Sequence, residues 1–288
     1  MVKPRTAVTL LELVIVVAVI AVLIALTAGA VHKVREAAAR IGEKNQMRQV
    51  ILALHHCGST DAGRLPRHHE RNDALNDETP LAQAALMMGY QQYLSYVDEN
   101  GSGATRYVRE FFFEGDPSLE LYPIQRRIAG TCVAVNFLAF DGGTTLHGSF
   151  PDGLSNTIGL SERYGTTRER KNEHIYTNIV CQAQIIDTRI IDRYACHRFA
   201  MFAEAGKDDV HAVTTGNPPV SRSSHPGLTF QVKPPFMQSD GRMLQSTRTN
   251  GLTVALMDGS VRTISPQVSE EAFWGSVTPA GGESVSLD

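Results

Sequence analysis

The residues that could do chemistry are scattered rather than grouped. Asp152, Ser155, Glu162 and His225 are residue types that could supply the bases, donors and nucleophile of a hydrolytic site. Their spacing matches no catalytic device: Gly-x-Ser-x-Gly, His-Glu-x-x-His, Cys-x-x-Cys and a phosphate-binding loop are all absent from the sequence. His55-His56, Cys57 and His68-His69, with Asp61 and Glu70 nearby, invite a zinc reading. Adjacent histidines diverge on a helix, however, and a metal pair there wants i, i+4 spacing. A helix end followed by a polar loop is the simpler account. The Asp/Asn turns are rich in oxygen ligands, as calcium requires, but no repeat of acidic residues accompanies them. The expectation is no metal, no cofactor and no enzyme. Asp152-Gly153 and Asp258-Gly259 then serve turns, with Asp bonding its own backbone and Gly supplying positive φ. Ser155, Asn156 and Thr157 satisfy the loop's backbone groups.

One carboxylate stands apart. Glu12 sits at the edge of an apolar run, and no residue from Leu13 to Val31 is charged. Burying that carboxylate costs up to a few kcal/mol, so it needs a partner. The run would span roughly 28 Å as a helix, about the hydrocarbon thickness of a bilayer. Lys3 and Arg5 precede it, which places the N terminus in the cytoplasm and the rest outside. A removable signal peptide, a plain signal anchor and a prepilin-type leader all start this way. The first fits poorly, because its apolar core is shorter.

The surrounding elements follow from periodicity. Val34, Ala37, Ala38, Ile41, Met47, Val50, Ile51 and Leu54 fall mostly three and four residues apart on one helical face. A continuous helix from about Thr9 to Leu54 would be roughly 70 Å long, its first half in lipid and its second packed on a soluble domain. Thr79 and Pro80 open a short helix, and Ser269 caps another. Between them lie β-like runs at Tyr107–Phe113, Thr131–Phe140, Asn156–Leu160, Ile175–Val180, Ile185–Ile191 and Leu252–Met257. Asp258-Gly259 marks a hairpin into Val261–Ile264. The fold class is α+β: a long N-terminal helix on a mainly antiparallel outer domain with short helices.

Composition agrees. The 288 residues are 42% hydrophobic and 20% charged, with 24 Gly and 13 Pro, which excludes a collagenous or low-complexity chain. A net charge of −3 gives no support to nucleic-acid binding. The basic clusters Arg126-Arg127 and Arg163, Arg168, Arg170 and Lys171 are short, the second is interleaved with Glu, and both read as solvated faces. Four Cys allow three pairings. Cys181 and Cys196 flank Ile185–Ile191 and are the expected pair across a hairpin; buried free thiols are the other reading.

Two resemblances add to this. Ala7-Val8-Thr9-Leu10-Leu11-Glu12-Leu13 and the apolar run after it resemble the start of type IV pilins and type II secretion pseudopilins, with Ala7 and Val8 replacing the usual Gly and Phe. The resemblance implies cleavage by a prepilin peptidase between Ala7 and Val8, N-methylation of Val8, and pairing of Glu12 with the terminal amine of a neighbouring pilin-like subunit. Residues 1–7 would be the leader and 8–57 the pilin-like helix, spanning the bacterial inner membrane at about 13–31. Residues 58–288 would be an extracytoplasmic domain, on the periplasmic side or in a surface filament. Losing Lys3 and Arg5 would take the charge to 25 − 30 = −5.

Phe150–Ile158 with Glu162-Arg163, the segment Leu252–Ser265, and Phe273-Trp274 with Thr278–Glu283 are similar to a large bacterial family that joins a prepilin-type N terminus to a domain of unknown function. Asn45, Leu52–His55 and Gly63–Pro66 resemble its post-membrane helix and following loop. The pattern's His, ten residues before Asp258, is replaced by Arg248. His225-Pro226-Gly227 stands 33 residues before Asp258 instead.

Overall fold

A computed structural model of the chain describes residues 9–66, 79–90, 108–121, 130–140, 143–168, 175–179, 195–203, 229–241 and 243–281. The chain divides into two units, Met1–Glu43 and Lys44–Asp288. Helix α1 (Leu10–Thr60) contributes to both.

In the first unit α1 is apolar and bare. Leu10, Ile15, Ile20, Ile24 and Leu26 are all exposed, and among the described residues this is the one helix long and apolar enough to cross a membrane. Two of its polar side chains bond within the helix. Thr27 donates its hydroxyl to the Leu23 carbonyl at 2.9 Å, and Arg40 pairs with Glu36 one turn back at 2.6 Å. Val34 and Ile41 are 66% and 61% exposed, so the apolar stripe expected to run unbroken into a soluble domain packs only from Met47 onward.

The second unit is α+β. Its helices are the C-terminal part of α1, α2 (Pro80–Met87), α3 (Ser118–Leu121) and α4 (Glu270–Val277). Its strands are β1 (Val133–Asn136), β2 (Ile158–Glu162), β3 (Thr166–Arg168), β4 (Ile175–Ile179), β5 (Ala195–Phe199), β6 (Met201–Phe202), β7 (Gln231–Val232), β8 (Gln245–Ser246), β9 (Leu252–Leu256) and β10 (Val261–Ile264). A five-stranded sheet runs β10-β9-β2-β1-β6; β3-β4-β5 and β7-β8 form two smaller sheets. Four of the seven pairings among the described strands are antiparallel, as expected for most of the domain, but β1/β6, β4/β5 and β7/β8 pair in parallel, so the two larger sheets are mixed.

Both faces of the central sheet are covered, so β1, β2 and β9 are buried at every position. On one side Met47, Val50, Ile51 and Leu54 of α1 join Phe111, Phe113, Val133, Val135, Leu160 and Met257 in one core. On the other, Phe273, Trp274 and Val277 of α4 pack with Ala134, Ile158, Leu252, Val254 and Leu256. Alternate side chains of a strand face opposite sides, which assigns them to the two cores. The β2–β9 register shifts between Ile158 and Leu160, a bulge centred on Gly159. A Cβ there would lie 2.5 Å from Met257 Sδ and 3.1 Å from Ile51 Cδ1, so the missing side chain is what seats α1 on the sheet.

The expected caps form. Thr79 Oγ1 accepts from the Ala82 N–H at 3.2 Å and Ser269 Oγ from the Ala272 N–H at 3.1 Å. Tyr107–Phe113 departs from its expected strand: Arg109–Phe111 is a 3-10 turn. Phe111, Phe112 and Phe113 are all buried, and a short irregular turn lets three consecutive rings enter one core. Residues 185–191 lie outside the described residues.

Candidate functional site

Thr9 and Glu12 form a reciprocal cap at the start of α1. The Thr9 N–H and hydroxyl donate to Glu12 Oε2 at 2.8 and 3.0 Å, and the Glu12 N–H donates back to Thr9 Oγ1 at 3.3 Å. This is a capping box, and the Thr-x-x-Glu spacing announces it. Ala7 and Val8, the expected cleavage residues, lie outside the described residues.

The second cluster lies at the C-terminal end of α1, where three separated segments meet. Asp152 accepts from the Gly281 N–H at 2.7 Å through Oδ2. Its own carbonyl accepts from Asn156 Nδ2 at 2.8 Å. Gly153 has φ +96°, and Ser155 is exposed beside it. The Asp258 N–H donates to the Leu154 carbonyl at 3.0 Å and the Met257 N–H to the Thr157 carbonyl at 2.8 Å, so the loop after Phe150 lies against the β9–β10 turn. That turn closes with the Gly259 N–H on the Leu256 carbonyl at 3.0 Å and the Ser260 N–H on Asp258 Oδ1 at 2.8 Å. Among the described residues of the turn only Gly259 has positive φ, at +85°. Glycine is therefore needed at one position rather than two, and the turn closes by the three-residue route instead of the tighter Asp-Gly one. A Cβ on Gly259 would reach Leu52 and His55 of α1.

His55 is half-buried at this junction. Burial pulls its pKa below the ordinary histidine value, while the Met257 backbone and the Asp258 carboxylate pull the other way. Its neighbour diverges: His56 Nδ1 lies 3.2 Å from Met87 Sδ. The two turns, Leu52–His55 and the segment around Gly281, remote in sequence, are thus one contact region whose Asp and Asn side chains hold backbone N–H and carbonyl groups.

A third cluster, buried, surrounds the end of β2. Glu162 Oε1 accepts from the Thr253 N–H at 2.6 Å, and Oε2 accepts from the Thr247 hydroxyl at 2.8 Å. Arg163 donates to the Met201 carbonyl at 2.8 Å and to the Gly241 carbonyl. Burial lowers its pKa to about 9, opposed by the Asp240 carboxylate. Asp116 accepts from the Gly165 N–H at 2.7 Å, the Ser118 N–H at 2.8 Å and Cys132 Sγ at 3.1 Å. Its pKa is raised by burial despite those three donors. Glu162, a candidate acid or base in the sequence, is here a buried acceptor, and Arg163, expected with its basic cluster on a solvated face, is buried instead; sequence reading missed Asp116 and Cys132. Only the Asp-x-Ser spacing of Asp116 and Ser118 is local; Cys132 and Gly165 come to Asp116 from 16 and 49 residues away.

The remaining expectations divide. Cys57 and Cys132 are free, buried thiols, and burial pushes the Cys57 thiol up to about 11. Cys196 lies in β5, but Cys181 is outside the described residues, and the expected pair with it. His225 is outside them too. Arg248 is part-buried, its N–H donating to Ser246 Oγ at 3.1 Å.

Comparison with protein-family models, with curated proteins and with solved structures finds no match.

Proposed function

We propose that this chain is a membrane-anchored, pilin-like structural or assembly protein, of the kind found in type II secretion-like or type IV pilus-like machines. The observation that carries the reading is the exposed apolar run of α1 with one carboxylate, Glu12, at its N-terminal edge. In this account a prepilin peptidase cuts between Ala7 and Val8 and Val8 is methylated. Apolar helices then associate in the bacterial inner membrane while Glu12 pairs with the new amine of a neighbouring copy. The domain that follows faces outward and touches partners. Packing, not bond-making, is its work, which suits motif residues that spend their side chains on backbone groups.

A second reading is a signal-anchored extracytoplasmic binding protein that never polymerises. The Thr9–Glu12 capping box favours it, because it gives Glu12 a role that needs no other subunit.

Co-isolation of tagged and untagged full-length copies from membranes separates the two. Pilin-like assembly predicts that Glu12→Ala abolishes co-isolation while membrane retention is unchanged. Thr9→Ala, which breaks the cap and keeps the carboxylate, should preserve it. If Glu12→Ala still co-isolates, assembly through Glu12 is wrong.

A further inference from the structure

Four large hydrophobic side chains are exposed among the described residues of the second unit: Leu52 at 49%, Met87 at 42%, Val232 at 38% and Met237 at 61%. They fall into two patches. In the first, His56 follows Leu52 by one turn of α1, and its Nδ1 lies 3.2 Å from Met87 Sδ at the end of α2. The β9–β10 turn borders this patch, since a Cβ on Gly259 would lie 3.5 Å from Leu52 Cδ2. Asp258 stands exposed in that turn. Its Oδ1 accepts from the Ser260 N–H, and its carboxylate makes no ion pair among the described residues.

The second patch is a loop held in one shape. It runs from β7 into the 3-10 turn Phe236–Gln238. Pro234 and Phe236 are buried, whereas Val232, Lys233, Pro235 and Met237 are exposed. The Tyr164 hydroxyl donates to the Pro234 carbonyl at 2.9 Å, and the Lys233 N–H donates to the Ser246 carbonyl at 3.0 Å. Lys233 has φ +38°, a left-handed conformation that a side chain disfavours and that persists only where its surroundings impose it. The Lys233 ammonium makes no ion pair among the described residues. A loop fixed in this way loses little freedom when something binds it.

We propose that the two patches are the two halves of one contact between copies of this chain. The Val232–Met237 loop of one copy seats on Leu52, His56 and Met87 of the next. Both patches are apolar with a charge at the rim, and the signs are opposite: Lys233 on the loop, Asp258 beside Leu52. Arg48, also exposed, lies one turn before Leu52, at the end of the patch away from Met87. The approach that sets Lys233 against Asp258 keeps it from Arg48, so the charges select one orientation. Different patches that complement each other make a head-to-tail contact, which leaves one patch free at each end and adds further copies. Patches this small do not hold free copies together. The inference therefore rests on the pilin-like reading, in which anchored helices already keep the copies close.

The test is co-isolation of tagged and untagged full-length copies from membranes, both copies carrying the same substitutions. Lys233→Glu and Asp258→Lys should each lower recovery about tenfold, the scale of one like-charge clash at an interface. The two together in one chain should restore the parental recovery, which a misfolded chain does not do. Met237→Ser, which keeps both charges and the β9–β10 turn, should lower recovery as well. Unchanged recovery in Lys233→Glu and Met237→Ser, with Glu12→Ala still abolishing it, overturns the inference and leaves the pilin-like reading standing. Losses in the single variants that the double variant does not restore also overturn it. Parental copies that fail to co-isolate overturn both.

Discussion

Two stretches of the same helix teach opposite lessons. Between Leu10 and Ile41, α1 shows its large apolar side chains to its surroundings; further on, Met47, Val50, Ile51 and Leu54 are wholly buried, while Leu52 on the other face stays exposed. Val34 and Ile41 continue the helical spacing of Met47, Val50, Ile51 and Leu54, yet only the latter have a sheet beneath them. Amphipathic spacing fixes a face; it does not supply the partner. Where Gly159 opens the sheet surface, the face is used. Before Lys44 no described element of the second unit lies beneath it; under the proposed function lipid and then neighbouring helices cover it.

The contrast breaks most sharply at Leu54. Leu54→Ala should cost about 2–5 kcal/mol of domain stability, since it opens a cavity in a fully packed site. Denaturant unfolding followed by fluorescence of Trp274, the sole tryptophan, measures it. Gly159→Val should cost about 1–3 kcal/mol by overfilling the seat of α1, read from the same curve. Ile41→Ala should leave the midpoint within about 0.5 kcal/mol of the parent, as for exposed substitutions generally. A large loss there would mean that this stretch is packed after all.

A smaller effect is electrostatic. The folded-state pKa of His55 lies below the ordinary value of 6.5. As pH falls through about 6.5 the unfolded chain takes the proton first, so stability is full above that value and declines as pH drops through the lowered folded-state pKa. A pH series of unfolding curves should show this slope, and His55→Gln should flatten it.

Local signals in the sequence proved readable and long-range ones did not. The Thr79 and Ser269 caps and the Asp258-Gly259 hairpin each rest on residues within a few positions, and all form. The parallel pairings of β1 with β6 and β4 with β5 depend on register between segments that no turn connects, hence the expectation of a mainly antiparallel domain. The site divides in the same way. Asp152, Asn156 and Asp258 were recognisable as turn residues. The buried carboxylates were not, because Glu162 reaches Thr247 and Thr253 across 85 and 91 residues. A polar residue in a strand does not announce whether donors will surround it. Tyr107–Phe113 failed for a related reason: aromatic content favours a strand, and burial of three adjacent rings overrode it.

The central claim, that the bare stretch of α1 is a processed pilin-like anchor, is tested most directly by the mass of the N-terminal peptide from membrane-extracted protein. The account predicts a chain that begins at Val8 and carries an N-methyl group. A chain that retains Met1 to Ala7 would contradict it and leave a plain signal anchor in its place.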